Sequence, residues 1–178
     1  MLPILLVLAL VAIIFFVVLA GLPDEFIISR SLEISAPPEK IFPHVNDLHK
    51  WEAWSPWAKM DPACKYSYRG PAEGVGAGFS WDGNRKVGSG GMTIIESVPN
   101  EQIRINLEFL KPFKATNTAE FIFKPQGGQT FVTWRMTGKS NFIFKVFGFF
   151  VNCDDMAGKD FEKGLAAIKS VTEATGKN

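Results

Sequence analysis

The side chains best placed to do acid–base, nucleophilic or metal chemistry in this 178-residue chain are few. His44 and His49 stand five residues apart, so they share no helical face, and neither sits in a Glu-x-x-His or His-x-His pattern. Both read as surface histidines rather than general bases. Cys64 and Cys153 are too few and too distant for a zinc site or a disulfide framework. A pair of buried thiols is expected, with one disulfide left open. The glycine run Gly74-Val-Gly-Ala-Gly78 lacks the Lys-Ser/Thr ending of a phosphate loop and leads into a strand. Asp82-Gly83-Asn84 reads as a hairpin turn. Arg104, Asn106 and Glu108 alternate with apolar residues and fall on the wet face of a strand. No catalytic residue, metal site or cofactor is implied. A net charge of +1 leaves no electrostatic footprint for nucleic acid.

What the chain has in abundance is aromatic surface: 13% of residues, including sixteen Phe and five Trp. Trp51-x-x-Trp54-x-x-Trp57 places two indoles on one helical face before Ser55-Pro56 turns the chain. They can gate a pocket, fasten a short helix to a sheet, or sit at a membrane interface. Residues 141–150 hold five Phe in ten positions, more than one helical stripe buries. Phe142, Phe144 and Phe147 then form either the thick end of a core or a membrane-facing lip.

The elements that would position these groups are legible from periodicity. From about Ser140 to Thr175, Val146, Phe150, Cys153, Ala157, Phe161, Leu165, Ile168 and Val171 make one helical stripe. Gly164 interrupts it and permits a close backbone approach. Glu25–Ile34 alternates as a first strand, and Ser35-Ala-Pro-Pro-Glu39 opens a short helix. A second short helical segment follows at Leu48–Trp54. Six strands follow: Lys65–Arg69, Gly78–Asp82, Gly91–Val98, Gln102–Phe109, Thr116–Phe123 and Thr130–Met136. Turn residues separate them, as at Pro99-Asn100 and Gln126-Gly127-Gly128.

Ahead of this domain, residues 2–22 carry no charge. At about 1.5 Å per residue they match a bilayer's hydrocarbon thickness. A single-pass membrane anchor over residues 1–23 is expected, with residues 24–178 as one globular domain. A cleaved signal peptide is the weaker reading, because the positive n-region is missing and the apolar run is long. Arg30 and Lys40, the nearest cations, are too few to fix which side the domain occupies.

The stretches SRSLEISAPPEKIFPHVNDLHKWEAWSPW, FSWDGNRKVGSGGMTIIES, TFVTWRMTG and DMAGKDFEKGLAAIKSVTE resemble the START/Bet v 1-type superfamily, and within it the polyketide cyclase/dehydrase-like (SRPBCC) branch. The resemblance runs from about Ser29 to Glu173 and carries no catalytic signature. It implies an α+β helix-grip fold, a seven-stranded antiparallel sheet curved around the C-terminal helix with an apolar cavity between. The residues expected at that cavity are Trp54, Phe79, Trp81, Met92, Ile105, Leu107, Phe109, Phe121, Phe123, Trp134, Met136, Phe150 and Phe161. Any one of them is as well explained by core packing. The expected function is binding of a hydrophobic small molecule or lipid beside a membrane. A cyclase/dehydratase-type enzyme on an apolar or polyketide-like substrate and a protein-interaction module at the membrane stand as alternatives.

Overall fold

The computed structural model describes residues 2–140, 145–146 and 153–175. Seven strands form one antiparallel sheet: β1 (Glu25–Ile34), β2 (Lys65–Arg69), β3 (Gly78–Asp82), β4 (Ser89–Val98), β5 (Gln102–Lys111), β6 (Ala115–Gln126) and β7 (Gln129–Lys139). Their order is β1-β7-β6-β5-β4-β3-β2, so every neighbour except β1–β7 is joined by a simple hairpin connection. Local chemistry explains the tightest turn. Gly127 and Gly128, with φ of +58° and +86°, supply the two positive torsions that a two-residue turn matching strand twist requires. The register then follows, with Gln126 facing Gln129 and Phe121 facing Trp134.

Between β1 and β2 lie α2 (Pro38–Asn46), a 3-10 turn, α3 (Trp51–Trp54) and α4 (Pro56–Met60). Pro38 opens α2, where a missing N–H costs nothing, and Ile41, Phe42 and Val45 form its buried face. The chain closes with α5 (Cys153–Thr175). The helix expected from about Ser140 is described from Cys153 onward. Lys145 and Val146 are helical, but residues 141–144 and 147–152 lie outside the described residues, and with them Phe142, Phe144, Phe147 and Phe150.

One face of α5 is buried through Phe161, Leu165 and Ile168. The helix lies chiefly along β1, with α2, α3 and α4 also against it. Two glycines on this helix face neighbouring side chains closely. A Cβ on Gly164 would stand 2.6 Å from Cζ3 of Trp134 and 3.4 Å from Cδ of Pro56. A Cβ on Gly158 would overlap the guanidinium of Arg30. That guanidinium, on the inward face of β1, donates to Glu162 Oε1 at 2.9 Å and to both Asp154 oxygens at 3.0 and 3.1 Å.

Upstream, α1 (Leu2–Gly21) is a 20-residue helix without a charged side chain. Its apolar residues stand largely exposed, at 45% for Val18 to 66% for Val17, while Leu19 is buried. Lys145 Nζ donates to Leu22 O and Asp24 Oδ1, both at 2.7 Å, fastening the foot of α1 to the domain. Among the described residues no helix is long and apolar enough to cross a membrane, so the span expected over residues 2–22 is not supported by them. The side chains at positions 2, 5 and 12 are outside the description, which breaks the described run of α1.

The concave face as candidate functional site

Antiparallel pairing lines up inward side chains in rows across the sheet. Nearest the long helix, Ile103, Phe121, Trp134 and Arg30 form one row. The next holds Ile94, Ile105, Ala119, Met136 and Ile28. Beyond it run Phe79, Met92, Leu107, Asn117, Gly138 and Phe26, and then Trp81, Gly90, Phe109 and Ala115. Burial loosens along this series. Ile103 and Phe121 are fully buried, whereas Met92, Leu107, Phe109, Met136 and Phe26 are only half-buried.

The residues expected at a cavity therefore divide into two sets. Trp54, Phe79, Trp81, Ile105, Phe121, Phe123, Trp134 and Phe161 are packed as core. Met92, Leu107, Phe109 and Met136 form the half-open part of the concave face. Phe150 lies outside the described residues. At the centre of the packed set, Trp134 stacks on Phe161 at 4.2 Å and on Phe121 at 4.8 Å, with Trp54 and Trp57 edge-on at 5.7 Å. Its indole Nε1 is buried without a hydrogen-bond partner. The Trp51 and Trp54 indoles instead donate to the carbonyls of Val45 and His44 at 2.9 and 2.8 Å, which fastens α3 to α2.

Asn117 is the residue that sequence reading missed. It lies 7% exposed on the inward row between Leu107 and Gly138, and among the described residues its Nδ2 donates to the thioether of Met136 at 3.8 Å. Gly138 is required beside it, because a Cβ there would overlap Asn117 Oδ1. Period-two counting from Phe121 and Phe123 through Ala119 reaches Asn117, so the signal was present. The inward positions of β3–β7 among these four rows carry no ionisable side chain.

Charge sits on the opposite face. Glu120 is 8% exposed there, accepting from Arg135 and from Gln102 Nε2 at 2.9 Å, with Arg104 Nε at 3.7 Å. Glu108 is exposed on that same face, as alternation expects. His49 stacks on Tyr68 at 4.1 Å near the surface. Burial, with Lys50 adding to it, holds the half-buried His44 imidazole below its ordinary pKa. Among the described residues no group of three His, Cys, Asp or Glu is placed to hold a metal ion. Cys64 is a free thiol, and the side chain of Cys153 is outside the description. An open depression of about 640 Å³ lies at the β2–β5 end of the sheet, touching Trp81 alone of the expected cavity residues.

Comparison with known proteins places this geometry. No curated protein is significantly similar in sequence. Solved structures share the fold at low identity. Protein MLL2253 from Mesorhizobium loti is 15% identical with a TM-score of 0.63, over 84% of this chain and 98% of its own. Protein CV1439 from Chromobacterium violaceum is 15% identical with a TM-score of 0.59, over 85% and 99%. Ara h 8.0201 is 11% identical with a TM-score of 0.58, over 84% and 99%. Residues 25–173, from β1 to the last turn of α5, match the family model described as polyketide cyclase / dehydrase and lipid transport. The chain belongs to that family, a branch of the START/Bet v 1-like superfamily with the helix-grip fold.

Proposed function

We propose that this protein holds an apolar small molecule or lipid against the concave face of its sheet, next to a membrane in which α1 is embedded. The observation that carries the ligand half is Asn117. Its buried amide, which among the described residues donates to the weak thioether acceptor of Met136, stands among half-open apolar side chains where a polar group of a ligand can bond to it. Apolar walls with one well-placed hydrogen-bonding group are the common design of sites that bind and orient hydrophobic molecules. The inward positions of β3–β7, between Arg30 on β1 and the tyrosines Tyr66 and Tyr68 on β2, are apolar or uncharged, which suits binding of a hydrophobic molecule.

The membrane half rests on the sequence and exposure of α1. Twenty uncharged residues with Leu, Ile, Val and Phe exposed on all sides form a surface that water does not tolerate but lipid does. Burial of Leu19 and the grip of Lys145 on Leu22 and Asp24 would hold the domain close to that bilayer.

The test is native mass spectrometry of the full chain released from its own membranes, with extraction of bound lipid. A stoichiometric apolar species is expected on the wild type. On Asn117→Leu, which keeps the volume and removes the amide, its occupancy should fall about tenfold, while the melting temperature stays level or rises. A folded wild-type protein that emerges empty sinks the ligand reading. Resistance of the chain to alkaline carbonate extraction is expected of an embedded α1, and release by carbonate sinks the anchor.

A further inference from the structure

The two ends of the sheet differ in charge, and the basic end is the one from which α1 departs. The terminal register pairs Glu25–Lys139, Ser89–Lys111 and Lys65–Asp82 all lie at that end. Its connections are cationic: Arg85 and Lys86 occupy the β3–β4 turn, and Lys114 follows Lys111 in the β5–β6 turn, all exposed. The other end carries Glu33, Glu73 and Glu101 against the exposed cations Arg69 and Lys124, with two glycines between β6 and β7. These positions are far apart in sequence, and only the antiparallel pairing gathers them.

Two of the four carboxylates at the basic end, Asp24 and Asp61, are occupied. Asp24 is bound by Lys145, whose hydrogen bond holds its carboxyl below the ordinary value. Asp61 accepts from the backbone N–H of Ala63 and Asn84. Glu25 and Asp82 remain exposed, against six exposed cations: Lys65, Arg85, Lys86, Lys111, Lys114 and Lys139. Among those cations stand apolar side chains with no core to enter, Phe113 at 66% and Leu110 at 55% exposed. Lys65, Lys111 and Lys114 also border the open depression of about 640 Å³, with Tyr66, Trp81 and Leu110.

Only three residues separate the end of α1 from Glu25, a reach of roughly 10–14 Å. This end of the sheet therefore faces whatever surface α1 emerges from. We propose that it is a second membrane contact. Its cations seat on the anionic headgroups of the leaflet that α1 leaves, Phe113 and Leu110 enter the interface, and a lipid phosphate sits in the depression between the three lysines. Each lysine or arginine near an anionic surface adds attraction that salt screens, whereas insertion of an apolar helix is insensitive to salt. Seated so, the half-open rows around Phe109 and Leu107 open towards the bilayer, which gives an apolar ligand a route that avoids water. The proposal rests on α1 being embedded, and the test separates the two.

The full chain is reconstituted in nanodiscs of neutral phosphatidylcholine, or with about one third phosphatidylglycerol, and amide exchange is followed at residues 83–87 and 110–115. Exchange there should be at least about tenfold slower in anionic discs, and the difference should vanish in about 1 M salt. Lys111→Glu/Lys114→Glu should erase the slowing at 110–115, and the independent pair Arg85→Glu/Lys86→Glu should erase it at 83–87. Amides of β6 and β7 report that each variant remains folded. Equal exchange in the two disc types overturns the contact, as does the same slowing by inorganic phosphate in neutral discs. Carbonate resistance of the same samples shows separately whether α1 is embedded.

Discussion

Replacing Trp134 with alanine is expected to lower folding stability by about 3–5 kcal/mol, a fall in melting temperature of roughly 10 °C. The indole is 2% exposed and sits where three layers meet. Phe121 lies on one ring face from the neighbouring strand and Phe161 on the other from α5, while Trp54 and Trp57 close the sides from the short helices. Truncation removes the contacts of all four partners at once and leaves a void lined by aromatic carbon, which does not fill favourably with water. Added indole should therefore restore part of the lost melting temperature, because the void has the shape and polarity of the missing group. A loss below about 1 kcal/mol, or no response to indole, would show that the aromatic cluster repacks and that Trp134 is not its centre.

Sequence periodicity could reach this cluster only in part. Alternation places Val132, Trp134 and Met136 on one strand face, and helical spacing places Phe161, Leu165 and Ile168 on one helix face, each within a single element. That Phe121 and Phe161 sandwich the same ring depends on register and crossing, which are properties of two elements together. The strand limits show the same boundary. The cores of all seven strands were legible, but β6 and β7 run further than expected, to Gln126 and Lys139, because pairing continues past the alternating residues. Asn117 was passed over because a polar residue inside an apolar row reads as the end of the row. The basic end of the sheet was not legible at all, since Lys65 and Lys111 meet only once β2 to β5 are paired. The limit is physical: spacing along the chain encodes one face at a time, whereas a site is built from several.

Gly164 gives the second large effect, and its sign is informative. Glycine inside a helix costs about 1 kcal/mol relative to alanine, so an alanine at an uncrowded position stabilises. At Gly164 a Cβ would stand 2.6 Å from the Trp134 ring, and that ring cannot retreat because Phe121 is stacked behind it. Gly164→Leu is expected to cost about 3 kcal/mol, and Gly164→Ala to destabilise despite its better propensity. Gly158 provides the contrast on the same helix. There the added Cβ meets the end of the Arg30 side chain, which can swing towards solvent and give up ion pairs with the exposed Asp154 and Glu162. Such pairs contribute little, so Gly158→Ala should stay close to neutral in urea denaturation. If the two alanine variants behave alike, close approach to Trp134 does not set the seat of α5. If they diverge as expected, the packed half of the concave face is fixed by a rigid ring against a bare backbone. The half-open rows around Asn117 are then the part of the sheet left free to take up a ligand.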